Sequence, residues 1–178
     1  MVDLSGVPEI AEFEEDSFML AIIDQVEGGF TARFERFQRH AVGDVWTWLT
    51  ENEKLSQWFP ELHVEELCAD GLIKFDMGDA IFVEMKITEF KKNSLLEYTW
   101  GDDLVRFELN PTQEGSLLVL TEKFKVITDH TPRDLAGWHV CLDVISVLMD
   151  GRAIESRSKE WQKWYEQYLL ALETVIEN

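Results

Sequence analysis

Short runs between Ile73 and Lys125 alternate apolar with polar residues, and few folds accept such a pattern. Ile73 and Phe75 share one parity. Ile81, Val83, Met85 and Ile87 share another, against Phe82, Glu84, Lys86 and Thr88. Leu96, Tyr98 and Trp100 oppose Leu95, Glu97 and Thr99; Val105, Phe107 and Leu109 oppose Leu104, Arg106 and Glu108. Leu118, Leu120 and Phe124 oppose Leu117, Val119, Thr121, Lys123 and Lys125. Turn residues separate the runs at Asp70-Gly71, Met77-Gly78-Asp79, Lys92-Asn93, Gly101-Asp102-Asp103 and Glu114-Gly115. Side chains alternate faces along a strand, so the pattern predicts an antiparallel meander with one apolar face.

That face needs a cover. Leu135, Trp138, Leu142, Ile145 and Met149 step by three or four residues and predict a long helix over 133–149. Thr131-Pro132 supplies its start and Asp150-Gly151 its stop. A last helix is expected over 158–176, carrying Trp161, Trp164, Tyr165, Tyr168, Leu169 and Leu172. Ahead of the meander, Gly28-Gly29 between two apolar runs is a hairpin signal. Two short helices follow, one with Asp44 as its expected N-cap and one over 53–58 that stops at Phe59-Pro60. The expected fold is α+β: a curved antiparallel sheet around a long C-terminal helix, with two short helices after the first strand. A curved sheet and a straight helix do not match everywhere, which leaves room for a pocket between them.

The charge narrows the partners. The chain has 35 acidic and 16 basic residues, a formal charge of −19. Such a chain is repelled by nucleic-acid phosphates and by anionic membrane surfaces. The spread is uneven: residues 1–29 hold eight acids and no lysine or arginine. Residues 1–16 are expected to be an acidic, flexible leader, and 17–178 one domain. Cys68 and Cys141 are too few for a disulfide framework and have no metal-type spacing. They read as small core residues of a cytoplasmic protein. No apolar run reaches the ~18 residues of a membrane span, and the start lacks the basic region of a signal peptide.

The segments HAVGDVWTWLTENEKLSQWFP, LLEYTWGDDLVRFELNP, GSLLVLTEKF and GWHVCLD stand in a familiar order. Together they resemble the SRPBCC proteins of the START and birch-pollen-allergen superfamily, in the branch named for an activator of the heat-shock protein 90 ATPase. The resemblance runs from about Phe30 to Met149, and Trp161, Tyr165 and Tyr168 are similar to the family's terminal-helix pattern. It implies a helix-grip fold around a hydrophobic pocket and no settled activity, since fold alone does not carry function.

Three sets of residues are candidates for a site. Trp46, Trp58, Phe59, Phe75, Trp100, Phe107, Trp138, Leu142 and Ile145 suit the lining of an apolar pocket, and equally suit a plain core. Glu122 shares a parity with Leu118, Leu120 and Phe124, so it is expected to point inward, where burial raises a carboxyl pKa. His139 has Asp143 at i+4, an arrangement for an acid–base pair or for a structural contact. His40, His63 and His130 are isolated. The sequence carries no metal-ligand spacing, phosphate loop, dinucleotide fingerprint or nucleophile elbow, so no cofactor is expected.

Three functions are compatible with these residues. The first is a non-enzymatic domain that binds a small hydrophobic or amphipathic molecule, with Glu122 or His139 orienting it. The second is a protein-interaction or co-chaperone module. The third is an enzyme of the cyclase, hydratase or aromatase kind, which requires Glu122 and His139 to face one cavity.

Overall fold

The computed structural model describes residues 19–178, so the expected leader over 1–16 lies outside the described residues. Eight strands follow in chain order: β1 (Ile22–Val26), β2 (Gly29–Gln38), β3 (Leu62–Glu66), β4 (Leu72–Asp76), β5 (Phe82–Lys91), β6 (Leu95–Trp100), β7 (Asp103–Thr112) and β8 (Gly115–Phe124). The helices are α1 (Val42–Thr50), α2 (Asn52–Trp58), α3 (Thr131–Met149) and α4 (Arg157–Ile176). The strands form one antiparallel, curved sheet in the order β1-β2-β8-β7-β6-β5-β4-β3. The meander β3–β8 closes back on the first hairpin, because β8 pairs with β2 from Phe30↔Phe124 to Gln38↔Ser116.

The hairpin expected at Gly28-Gly29 forms as β1 and β2, so the short helices come after the second strand rather than the first. Asp44 is not the N-cap of α1. Ala41 holds that position and Asp44 stands in the first turn, where its charge still complements the helix N-terminus. Strand β3 was not foreseen: it has only five residues, and only Leu62 and Val64 face inward. It is fastened to α2 by Asn52, whose side-chain amide donates to the Val64 carbonyl at 2.9 Å and accepts from the Val64 N–H at 2.7 Å.

Helix α3 lies across the apolar face and is buried on nearly every side. Leu135, Leu142 and Ile145 pack with Phe34, Val105, Phe107, Leu118 and Leu120. α4 covers α3 from behind with Trp164, Tyr168 and Leu172. The middle of the grip is therefore filled by side chains.

Two expectations about faces need correction. Ile81 and Val83 do not join Met85 and Ile87 in the core; they are 61% and 42% exposed, with Phe82 at 52%. The β4–β5 hairpin runs past its helical cover, and a bulge between Ile87 and Glu89 changes the parity again, so that Phe90 turns inward. Glu97, expected on a solvated exterior, is buried on the outer face. Arg106 at 3.2 Å, Lys123 at 3.5 Å and the Thr88 hydroxyl at 3.0 Å enclose it. Cys68 is likewise half-buried rather than a core residue, whereas Cys141 is buried.

Candidate functional site

A cavity of about 370 Å³ opens where the N-terminal half of α3, the start of α4 and the sheet meet. Its apolar wall is built by Phe59, at the end of α2, Phe75 of β4, Trp100 of β6 and Trp138 of α3. Phe59 is turned into the site because α2 stops there. Its N–H still bonds the Leu55 carbonyl at 2.8 Å, and Pro60 cannot continue the helix. Trp100 is the last residue of β6, just before a turn in which Gly101 has φ +61°. Ring centroids lie 5.5 Å apart for Phe59–Trp138 and 5.1 Å for Trp100–Trp138.

The helical side consists of Gly137, Val140 and Cys141. Gly137 matters most, because a Cβ built on it meets nothing within 4 Å. Burial pushes the Cys141 thiol up to about 12, so it stays protonated near neutral pH and is no nucleophile.

The rim is polar. Glu61, Arg133, Asp134, Arg157 and Ser158 surround the opening, with Trp161 beside them. The Arg157 guanidinium donates to the Trp58 carbonyl at 3.0 Å and reaches the Cys141 sulfur at 3.6 Å. Trp161 stacks on Tyr165 at 5.0 Å, and its indole N–H donates to the Arg133 carbonyl at 3.3 Å. Asp134 meets His130 at 3.0 Å; burial raises its pKa against the lowering effect of that histidine.

Glu122 does point inward. It lies between Ala32 and Val105 in register, 3% exposed, and its Oε2 has no hydrogen-bond partner among the described residues. Burial, then Asp134 and Asp103, push its pKa up to about 8, so the carboxyl is largely protonated at neutral pH. It does not line the cavity.

His139 lies on the far side of α3. Its ring stacks on Trp164 at 3.8 Å, its Nδ1 bonds the Tyr168 hydroxyl at 2.8 Å, and Phe34 closes the other flank at 6.2 Å. Its Nε2 is 3.6 Å from Asp143, which is in turn 3.2 Å from Arg36 Nε. Among the described residues, no group of three or more His, Cys, Asp or Glu side chains is placed to hold a metal, and no helix is long and apolar enough to cross a membrane.

The family model described as Activator of Hsp90 ATPase homolog 1-like protein matches residues 39–150. The chain belongs to this family. Comparison with curated proteins gives no match. Among solved structures, a conserved protein of unknown function from Enterococcus faecalis is similar at 24% identity and a TM-score of 0.79, over 91% of this chain and 95% of that one. CalU16 from Micromonospora echinospora is similar at 17% identity and a TM-score of 0.65, over 83% and 92%. The Aha1 dimer from Colwellia psychrerythraea is similar at 15% identity and a TM-score of 0.57, over 65% and 92%. At these identities the likeness is one of fold.

Of the residues expected at a site, this member of the Activator of Hsp90 ATPase homolog 1-like family brings Phe59, Phe75, Trp100 and Trp138 together at the cavity. Trp58 and Phe107 stand one layer behind. Trp58 is edge-on to Phe59 at 5.9 Å and its indole N–H donates to the Trp48 carbonyl, while Phe107 is edge-on to Trp138 at 5.9 Å. Trp46 is elsewhere, packed on Phe90 at 5.8 Å. Leu142 and Ile145 are core residues under the middle of α3. Glu122 and His139 do not share the cavity, because β8 and the back of α3 place them away from its lining. Arg133, Asp134, Gly137, Arg157 and Trp161 were missed as site residues. A glycine inside an otherwise helical pattern, next to Trp138, was the available signal.

Proposed function

We propose that this protein binds a small hydrophobic or amphipathic molecule in the cavity beside Trp138. One observation carries the reading: four aromatic side chains from separate parts of the chain wall a space of about 370 Å³ whose rim is charged. That combination of apolar lining with a few convergent polar groups is the usual make-up of a small-molecule site. The test is a titration with N-phenylnaphthylamine, an uncharged dye that emits strongly only in apolar surroundings. A saturable rise in emission, accompanied by shifts of the Trp100 and Trp138 indole resonances, is expected. No saturable rise would overturn the reading.

A protein-interaction role is the second reading. It is supported by the family description and by the apolar tip of the β4–β5 hairpin, where Met77, Ile81, Phe82 and Val83 are exposed. It predicts that the chain changes ATP turnover by a bacterial heat-shock protein 90, and that replacing Ile81 and Phe82 by serine abolishes the effect. An enzymatic reading through Glu122 and His139 has less support, since neither lines the cavity and His139 is enclosed by Phe34, Trp164 and Tyr168.

A further inference from the structure

The arginines of this chain fall into two groups. Arg33, Arg36, Arg106 and Arg152 each hold a carboxylate at 3.5 Å or less. Arg133 and Arg157 hold none among the described residues, and both stand on the rim of the cavity. Acids outnumber bases 35 to 16, so a carboxylate partner is easy to find on most of the surface. Two guanidiniums without one, on the same opening, need another explanation. Each is held in place by contacts other than an ion pair. Arg157 Nη2 donates to the Trp58 carbonyl at 3.0 Å and reaches Cys141 Sγ at 3.6 Å. Its Nε and Nη1 meet no acceptor among the described residues, so most of the guanidinium N–H donors stay available. The Arg133 guanidinium lies over the Tyr165 ring at 5.7 Å, and its backbone carbonyl accepts the Trp161 indole N–H. A guanidinium held over a ring keeps its N–H edge for a planar anion.

The two carboxylates of the lining do not cancel these arginines. Asp134 is already engaged by His130 at 3.0 Å, and burial favours its neutral form. Glu61 is exposed and makes no ion pair with either arginine. What Glu61 and the formal charge of −19 do is limit the ligand's own charge. A dianion such as a phosphate ester meets that repulsion twice over, whereas a single negative charge is matched by the nearest guanidiniums. Charges farther off than ~8 Å are screened at physiological salt, so the groups on the rim decide. The wall behind the rim is aromatic, which fits an apolar body attached to the charged head.

We propose that the cavity takes a monoanionic amphiphile, an organic carboxylic acid in its ionised form, with its carboxylate held by Arg133 and Arg157 and its apolar body against Trp100 and Trp138. The proposal rests on the binding reading above and narrows it to one class of ligand.

The test sets three molecules of nearly equal size against bound N-phenylnaphthylamine on the full chain: naphthoate, its neutral amide naphthamide, and the cation naphthylmethylammonium. Loss of dye emission gives each affinity, and the indole N–H resonances of Trp138 and Trp161 report where each binds. Naphthoate is expected to bind about tenfold more tightly than naphthamide, as charge-assisted hydrogen bonds to a guanidinium require, and the cation more weakly than either. Arg133→Gln and Arg157→Gln are each expected to lower the naphthoate-to-naphthamide ratio, and Arg157→Lys to keep part of it. The ratio is independent of how well a variant packs or folds, because both ligands see the same protein. A ratio near one in the parent chain, or a cation that binds tightest, would overturn the carboxylate assignment and leave the dye-binding cavity standing. A ratio unchanged in both glutamine variants would overturn it too, since the head would then lie elsewhere. No saturable dye signal and no shift with any of the three would overturn both readings.

Discussion

Gly137 offers a substitution in which stability and binding must move in opposite directions. It sits inside the nineteen-residue helix α3 and faces the cavity, and a Cβ there meets nothing within 4 Å. In a helix interior, glycine costs about 1 kcal/mol relative to alanine through backbone entropy. Gly137→Ala therefore gains close to that amount, with no clash to subtract. For a chain of this length, that raises the melting temperature by about 2–4 °C. Gly137→Leu keeps most of the helix gain and projects its branched end into the space beside Trp138. It is expected to fold at least as stably as the parent and to lose the saturable N-phenylnaphthylamine signal. Thermal melts by circular dichroism and the dye titration, on the same preparations, read both effects. A core substitution would lower both quantities, so the opposed pair is diagnostic. If Gly137→Ala melts lower than the parent, the helix face at 137 is packed and the cavity argument is wrong. If Gly137→Leu is stable and still binds the dye, the dye binds elsewhere.

The remaining predictions concern buried polar groups. Glu122 carries a folded-state pKa of about 8 against an ordinary value of 4.5. Between those values the folded state holds one more proton than the unfolded chain, so stability falls as pH rises, by up to ~1.4 kcal/mol per unit. Asp143, pushed up to about 6 by burial, adds a similar slope only below that pH. Urea unfolding at pH 6 to 8 should therefore show a decline that Glu122→Gln removes; parallel curves would refute the buried carboxyl. Tyr168→Phe deletes an acceptor 3.0 Å from the Ala21 N–H and a partner 2.8 Å from His139 Nδ1, both buried. A loss of about 3 kcal/mol is expected in urea unfolding at fixed pH; a change below about 0.5 kcal/mol would mean the hydroxyl is dispensable. Arg36→Leu leaves Asp143 without its guanidinium partner and should cost about 3–5 kcal/mol. The double variant Arg36→Leu, Asp143→Leu should recover most of that in the same assay, and failure to recover would mean that Arg36 acts through packing alone.

The sheet was legible because alternation survives in strands that have one wet face. Leu96, Tyr98 and Trp100 point one way and Glu97 the other, whatever the twist. The long helix was legible from its start and stop residues, although α3 is buried far beyond one stripe: Ala136, His139, Val140 and Val144 are covered too. That burial depends on α4 lying behind α3, a tertiary fact with no local signature. The cavity was half legible for the same reason. Aromatic content marked Phe59, Phe75, Trp100 and Trp138, but the same content marked Trp46 and Trp58, which fill core. Separating them needs the angle at which α1 and α2 meet the sheet, and no periodicity encodes that. The rim was illegible because it draws Glu61, Arg133 and Arg157 from distant parts of the chain.

One inward polar series was in plain sight, and it explains where the cavity can lie. β2 turns Arg36 and Gln38 to the core side, and His40 follows at the same period of two. α3 answers at intervals of three and four. Arg36 Nε donates to Asp143 at 3.2 Å, the Gln38 amide donates to the Ser146 hydroxyl at 2.7 Å, and His40 Nε2 lies 3.0 Å from Asp150. Two strand residues advance about 6.6–6.8 Å and three or four helical residues about 4.5–6 Å, so the two series stay in step over three contacts. A helix with apolar contacts alone could slide or rotate on a greasy sheet at little cost. These three contacts pin the C-terminal half of α3 against both motions. Among the described residues, the N-terminal half of α3 shows no such series. Asp134, Gly137 and Trp138 face the cavity, and the Glu122 Oε2 has no hydrogen-bond partner among the described residues. The fold thus concentrates this polar series at the C-terminal end of the helix, away from the cavity. The N-terminal end is the one at which room for a ligand costs the fold least.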